Sequence, residues 1–197
     1  MTDCLDETAR ALLFTEARTA NRFLDEPVSL EKLREIYNLM KWGPTSMNSC
    51  PARLVFLTTP EARQRIMPAL FDGNIARAKS APVITIVAQD LEFFDELPKL
   101  YPRAPENRLI FERNEFAAQI AAFRNASLQG AYFIMAARAV GLDCGPMSGF
   151  DNAAVDKEFF GGTNLKSNFL CTVGHADTSR YYPRGKRFEF DEVCQVL

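Results

Sequence analysis

The run Lys41-Trp42-Gly43-Pro44-Thr45-Ser46-Met47-Asn48-Ser49-Cys50-Pro51 gathers hydroxyl and amide side chains between two prolines. Proline fixes φ and removes a backbone donor, so this connection is stiffer than an ordinary solvent loop, while Thr45, Ser46, Asn48 and Ser49 remain available as donors and acceptors. Such a wall suits a polar small-molecule ligand. The same residue types also serve as a plain helix stop whose short polar side chains satisfy nearby backbone groups, so the loop by itself does not define a site.

The remaining chemistry-bearing side chains exclude more than they offer. His175 is the only histidine and stands next to Gly174 and close to Asp177 at a strand end, which makes a Ser-His-Asp relay improbable and a surface-loop position the simpler expectation. In Gly145-Pro146-Met147-Ser148-Gly149 the serine falls one position late for a nucleophile elbow. With no second histidine and no cysteine pair at ligand spacing, no zinc or other metal site is expected. Neither G-x-G-x-x-G nor a P-loop pattern occurs. A chain this poor in catalytic side chains can still be an enzyme, one that binds a cofactor to carry the chemistry and supplies orientation and electrostatics, in which case no side chain need be a nucleophile.

The elements that must position these residues follow from caps and periodicity. Ser29 reads as the N-cap of a helix over Leu30–Trp42, with Leu30, Leu33, Ile36, Tyr37 and Met40 on one face and Gly43-Pro44 as its stop. A strand is expected over Arg53–Thr58. Thr59 with Pro60 then starts a helix running toward Phe71, bending or ending near Pro68. Pro82–Ala88, with the β-branched Val83, Ile84, Ile86 and Val87, is the clearest strand. The stretch Asp90–Asn114 has no clear assignment and reads as an excursion, a lid or a partner-covering segment. Phe116–Val140 is apolar on nearly every side, but Arg124, Asn125, Gln129 and Arg138 interrupt it before it could span a membrane. A helix of that kind must be covered all round, which predicts a place in the core and in a homodimer interface. Leu142-Asp143-Cys144 leads into the Gly145–Phe150 turn. Asp151 caps a helix through Phe160, Asn168–Val173 is a strand, and the Phe188–Leu197 tail holds a short terminal helix. Interleaved helices and strands give an α+β or α/β sandwich with a small sheet.

Composition sets the outer limits. At 197 residues, with 47% hydrophobic and 24% charged side chains, the chain suits a single domain over 1–197. A net charge of −2 with scattered arginines argues against nucleic acid. Five cysteines, odd in number and far apart, suit a reducing cytoplasm. The acidic Met1–Glu7 stretch has no apolar core and predicts neither a secretory signal nor a transit peptide.

The Pro44–Pro51 loop and four further segments together resemble the FMN-dependent nitroreductase family over nearly the whole chain. Ala17-Arg18-Thr19-Ala20-Asn21-Arg22-Phe23 is similar to that family's basic N-terminal motif, which implies that Arg18 holds the FMN phosphate and that Thr19 and Asn21 hold the ribityl chain. The loop resembles P-[ST]-S-x-N-x-Q-P, which implies that Thr45, Ser46, Met47 and Asn48 approach the flavin from the partner subunit. Asn74-Ile75-Ala76-Arg77 looks like N-x-x-K, placing Asn74 and Arg77 at the pyrimidine edge, where positive charge stabilises an anionic reduced ring. Pro146-Met147-Ser148-Gly149-Phe150 resembles the P-[IM]-x-G-[FI] turn, whose backbone N–H groups approach flavin N5. The resemblance further implies that the C-terminal segment completes the phosphate site through Arg184 or Arg187.

The resemblance implies an α+β three-layer sandwich, with a small, mostly antiparallel sheet covered by helices in a domain-entwined homodimer. It also implies ping-pong hydride transfer from NADH or NADPH through FMN to a small molecule. In wording the chain is closest to the malonic semialdehyde reductases of pyrimidine utilisation and their NAD(P)H-dehydrogenase-like relatives, which implies reduction of malonic semialdehyde to 3-hydroxypropionate. A broader nitroreductase or quinone reductase is the alternative, and a flavin-binding module without turnover is the alternative of another class. Cys50 where Gln is usual, Ala52 for Trp, Ala17 for a first arginine and Ser148 for an acidic residue count against aromatic nitro substrates. Arg103, Arg108, Arg113 and Arg124 are each candidates to hold a substrate carboxylate, and the sequence does not choose among them.

Overall fold

The computed structural model describes residues 4–197; Met1–Asp3, the start of the acidic stretch, lie outside the described residues. In chain order the regular elements are α1 (Glu7–Arg10), continued by a π turn at Ala11–Thr15, α2 (Leu30–Met40), β1 (Ala52–Leu57), α3 (Pro60–Ile66), α4 (Asp72–Ser80), β2 (Val83–Asp90), α5 (Leu97–Leu100), α6 (Arg108–Glu112), α7 (Glu115–Ala139), β3 (Asp143–Met147), α8 (Asn152–Phe160), β4 (Leu165–Gly174) and α9 (Phe190–Val193). All strand pairs are antiparallel, in the order β1-β2-β4-β3.

Alternation along β2 divides the core. Ile84, Ile86 and Ala88 pack with Leu57, Ile66, Phe150, Val155 and Phe160 under α3, α4 and α8. Val83 turns the other way, with Cys171 and Val173 of β4, to meet Leu33, Ile36 and Met40 of α2 and Phe133, Ala136 and Ala137 of α7. A strand side-chain period of two thus places one helical layer on each face, which is the expected α+β three-layer sandwich. The caps are those read from the sequence: Ser29 Oγ accepts from Lys32 N (3.2 Å), Thr59 Oγ1 from Ala62 N (3.2 Å) and Asp151 Oδ1 from Ala154 N (3.0 Å).

Several boundaries differ from expectation. α2 stops at Met40, because Lys41 and Trp42 already turn toward Gly43. α3 ends at Ile66, followed by a single 3-10 turn at Met67–Ala69. α4 was not anticipated, its amphipathic signal being weak. Of the lead-in, Asp143 and Cys144 belong to strand β3, which tolerates Pro146 because it lies at the sheet edge, where a missing N–H costs no ladder bond. β4 starts three residues earlier than expected, at Leu165. The Asp90–Asn114 excursion is a chain of short helical turns anchored by Phe93, which is buried against Ala118 and Ala122 of α7. No helix among the described residues is long and apolar enough to cross a membrane.

Candidate cofactor site

The site grows from the outer edge of β3. Ala20 N donates to the Cys144 carbonyl (2.9 Å), and Thr19 bridges Cys144, so the Arg18–Phe23 segment lies along that strand. Gly145 permits this approach: a Cβ there would stand 2.8 Å from Ala20 O, 2.4 Å from Thr172 Oγ1 and 2.9 Å from Arg77 Cδ. Only a residue without a side chain lets the N-terminal segment and Arg77 converge on the same strand.

Arg77 occupies the junction. Its Nη2 donates to Asn21 Oδ1 (2.9 Å) and its Nη1 to the Pro146 carbonyl (3.3 Å), while Nε is buried with no partner among the described residues. Burial lowers the guanidinium pKa from its ordinary value, opposed by the neighbouring Cys171 and Tyr182. A half-buried cation with an unsatisfied donor is suited to an anionic or acceptor-rich ligand. Asn74, one helical turn before it, donates Nδ2 to the Gly149 carbonyl (2.9 Å), which also accepts from Phe71 N (3.0 Å). A Cβ on Gly149 would meet Asn74 Nδ2 at 2.7 Å. Ser148 is exposed beside this turn, whereas the Met147 side chain is turned into the core, leaving only its backbone for a ligand.

Next to Asn21 two clefts open on either side of Tyr181 and Tyr182. One, of about 520 Å³, is lined by Arg18, Thr19, Arg138, Arg184 and Arg187. The other, of about 690 Å³, is lined by Arg22, Arg77 and Arg180. Arg18 Nη2 donates to the Tyr182 carbonyl (3.2 Å), and Arg184 reaches back to the carbonyls of Thr15 and Ala17. Arg187 bonds only locally, to Gly185 O (3.0 Å) and Lys186 O (2.9 Å). Four arginines line the smaller cleft, which gives it a chemistry suited to phosphate-like charge. Tyr181 donates to Asp143 Oδ1 (3.3 Å) and its pKa is pushed up to about 12 by burial and by that carboxylate. Arg138, Tyr181 and Tyr182 carry no motif, and only the proximity of Tyr181-Tyr182 to Arg184 in the chain hinted at them.

The Pro44–Pro51 loop stands elsewhere. It enters β1, at the sheet edge opposite β3, three strand spacings or about 14 Å away. Its conformation is held rather than free: Met47, Asn48 and Cys50 have φ of 53°, 50° and 41°. Ser46 N donates to Asn125 Oδ1 of α7 (2.8 Å), Cys50 N to Thr45 Oγ1 (3.2 Å) and Asn48 Nδ2 to the Leu100 carbonyl (2.9 Å). The hydroxyl of Ser49 is buried without a partner among the described residues. One chain therefore brings together Arg18, Thr19, Asn21, Asn74, Arg77, Pro146, Ser148, Gly149, Arg184 and Arg187, and keeps Thr45, Ser46, Met47 and Asn48 apart from them.

A small antiparallel sheet between two helical layers, with a cationic cleft at one edge, is suited to a domain that binds an anionic cofactor. The nitroreductase family model matches residues 15–175, and the chain belongs to that family, the one its motifs resemble. A relative from Ralstonia pickettii, named "Putative NADH dehydrogenase/NAD(P)H nitroreductase HadB", is 53% identical over 188 residues, covering 94% of this chain and 96% of its own. The crystal structure of a Bacillus subtilis protein titled a "putative nitroreductase" superposes with a TM-score of 0.87 at 23% identity, covering 98% of this chain and all of the other. A nitroreductase-titled structure from Exiguobacterium sibiricum in complex with FMN superposes with a TM-score of 0.81 at 16% identity, covering both chains completely.

Proposed function

We propose that this chain is an FMN-dependent NAD(P)H oxidoreductase, a single FMN-binding domain acting as a homodimer in the cytoplasm, with malonic semialdehyde as its best acceptor. The observation that carries the reading is the convergence of Arg18, Asn21, Arg77 and Arg184 on the β3 edge, with the Nε of Arg77 left unpartnered. Bound FMN would supply the hydride chemistry, taking hydride from NADH or NADPH and giving it to the second substrate. The chain supplies what surrounds that exchange. Arg18, with Arg184 or Arg187, holds the phosphate; Thr19 and Asn21 hold the ribityl chain. Arg77 fixes a positive charge where the reduced ring is anionic, and Asn74 braces the Gly149 carbonyl so that the Pro146–Gly149 backbone keeps its shape.

The second copy completes the site. Along α7, Phe116, Ile120, Phe123, Leu128 and Tyr132 remain exposed, and Phe116 is 72% exposed, an uncovered apolar stripe more typical of an interface than of a monomer surface. Covering this stripe with a partner lets each copy contribute its Pro44–Pro51 loop to the other's β3 edge.

The absorption spectrum of the purified protein and its NAD(P)H consumption test the reading. A flavin spectrum with one FMN per chain, and turnover fastest with malonic semialdehyde, is the expected result. Faster turnover of quinones or nitro compounds would favour the broader reductase. A yellow protein that shows no acceptor-dependent oxidation of NAD(P)H would be a flavin-binding module.

A further inference from the structure

Thr45, Met47 and Asn48 on the loop and Leu100, Tyr101 and Arg103 on the excursion bound a cleft of about 420 Å³. The two segments are tied, since Asn48 Nδ2 donates to Leu100 O (2.9 Å) and Asn107 Nδ2 reaches Met47 Sδ (3.8 Å). In this cleft the Arg103 guanidinium lies over the Tyr101 ring, 4.3 Å from its centroid. Stacking on the ring restrains the cation, and the residue stays exposed, so its N–H groups remain accessible to a ligand.

Arg103 forms no ion pair among the described residues. Of the acids of the excursion, Glu96 pairs with Lys99 (3.6 Å) and Asp95 and Glu112 pair with Arg108 (3.2 and 3.1 Å), while Glu106, three residues on, forms no ion pair with Arg103 among the described residues. Of the four arginines that the sequence left open, Arg108 is thereby neutralised, Arg113 closes α6, and Arg124 lines the apolar groove of α7 with Phe116, Ile120 and Phe123. Arg103 alone of the four borders the cleft beside the loop. An oriented, unpaired guanidinium facing a hydroxyl and an amide is built for a carboxylate, which it meets through paired, charge-assisted hydrogen bonds.

We infer that Arg103 binds the carboxylate of the hydride acceptor and thereby selects short oxo acids over neutral quinones and nitroarenes. This rests on the proposed reading that the Pro44–Pro51 loop walls the partner's FMN site, because Arg103 travels with that loop. Arg103 sets specificity and transfers neither hydride nor proton.

The test uses FMN-loaded protein, wild type, Arg103→Gln and Arg103→Lys. Acceptors are malonic semialdehyde and p-benzoquinone, and malonate is the unreactive ligand for calorimetry. In Arg103→Gln the ratio of kcat/KM for malonic semialdehyde to that for p-benzoquinone is expected to fall about tenfold or more, mainly through KM, with malonate Kd weakened in parallel and Arg103→Lys intermediate. An unchanged ratio and Kd would overturn the inference, as would equal losses with both acceptors or loss of FMN from Arg103→Gln. A wild-type enzyme that turns over p-benzoquinone but neither reduces malonic semialdehyde nor binds malonate would overturn it while leaving the oxidoreductase reading intact. Wild-type protein that takes up no FMN would overturn both.

Discussion

At the scale of single residues, Arg18 and Tyr181 make separable contributions. Arg18 reaches across the smaller cleft to the Tyr182 carbonyl, so Arg18→Ala removes a cation from the proposed phosphate pocket while sparing the core. FMN affinity is expected to weaken about 10- to 100-fold, the range for losing a charged hydrogen bond, measured by fluorescence titration of the apoprotein; unchanged affinity would remove Arg18 from the phosphate role. Tyr181 acts through Asp143. Its folded pKa of about 12 lies above the ordinary value of 10, so the folded state holds a proton that the unfolded state gives up first. This contribution is complete below pH 10 and is lost as pH rises toward 12. Tyr181→Phe should therefore flatten the alkaline fall in denaturation midpoint over that window relative to wild type. The arginines at 18 and 77 were legible from motif spacing. Arg138 and Tyr182 were not, because nothing in the sequence says that residues over 100 positions from Arg18, or 160, share its cleft.

At the scale of elements, legibility tracked local signals. Helices with a side-chain cap, such as Ser29 before α2 and Asp151 before α8, announced themselves, and so did the β-branched run of β2. β3 did not, because Gly145 and Pro146 read as a turn and only pairing with β4 makes them a strand. Those residues are there for what must lie against them. Gly145→Ala would force a Cβ against Ala20 O and Thr172 Oγ1, neither of which can withdraw without disturbing the sheet. It is expected to destabilise the fold by about 1–3 kcal/mol in urea unfolding, with FMN affinity falling as the N-terminal segment is displaced. The loop before β1 shows the reverse pattern, being read at once as a stiff polar turn. Its left-handed residues and its tether to Asn125 required the structure.

At the scale of the whole molecule, the two groups of residues that the resemblance assigns to one flavin stand at opposite edges of a sheet. A four-stranded hydrogen-bonded sheet packed on both faces does not bend through such a distance, so one chain cannot unite them by local motion. If each flavin takes Arg77 from one copy and Asn48 from the other, defects in the two residues become complementable. Arg77→Ala and Asn48→Ala proteins, each impaired alone, should regain activity when unfolded and refolded together, because the mixed dimer holds one site with both residues intact. Random pairing makes half the dimers mixed with one good site of two, so about a quarter of wild-type activity is expected. No recovery above the parents would mean that the two residues do not meet across a subunit boundary. In the proposed dimer, a sheet with its ligand groups on opposite edges makes the enzyme's genetics dimeric: an allele damaged at one edge is then rescued by an allele damaged at the other.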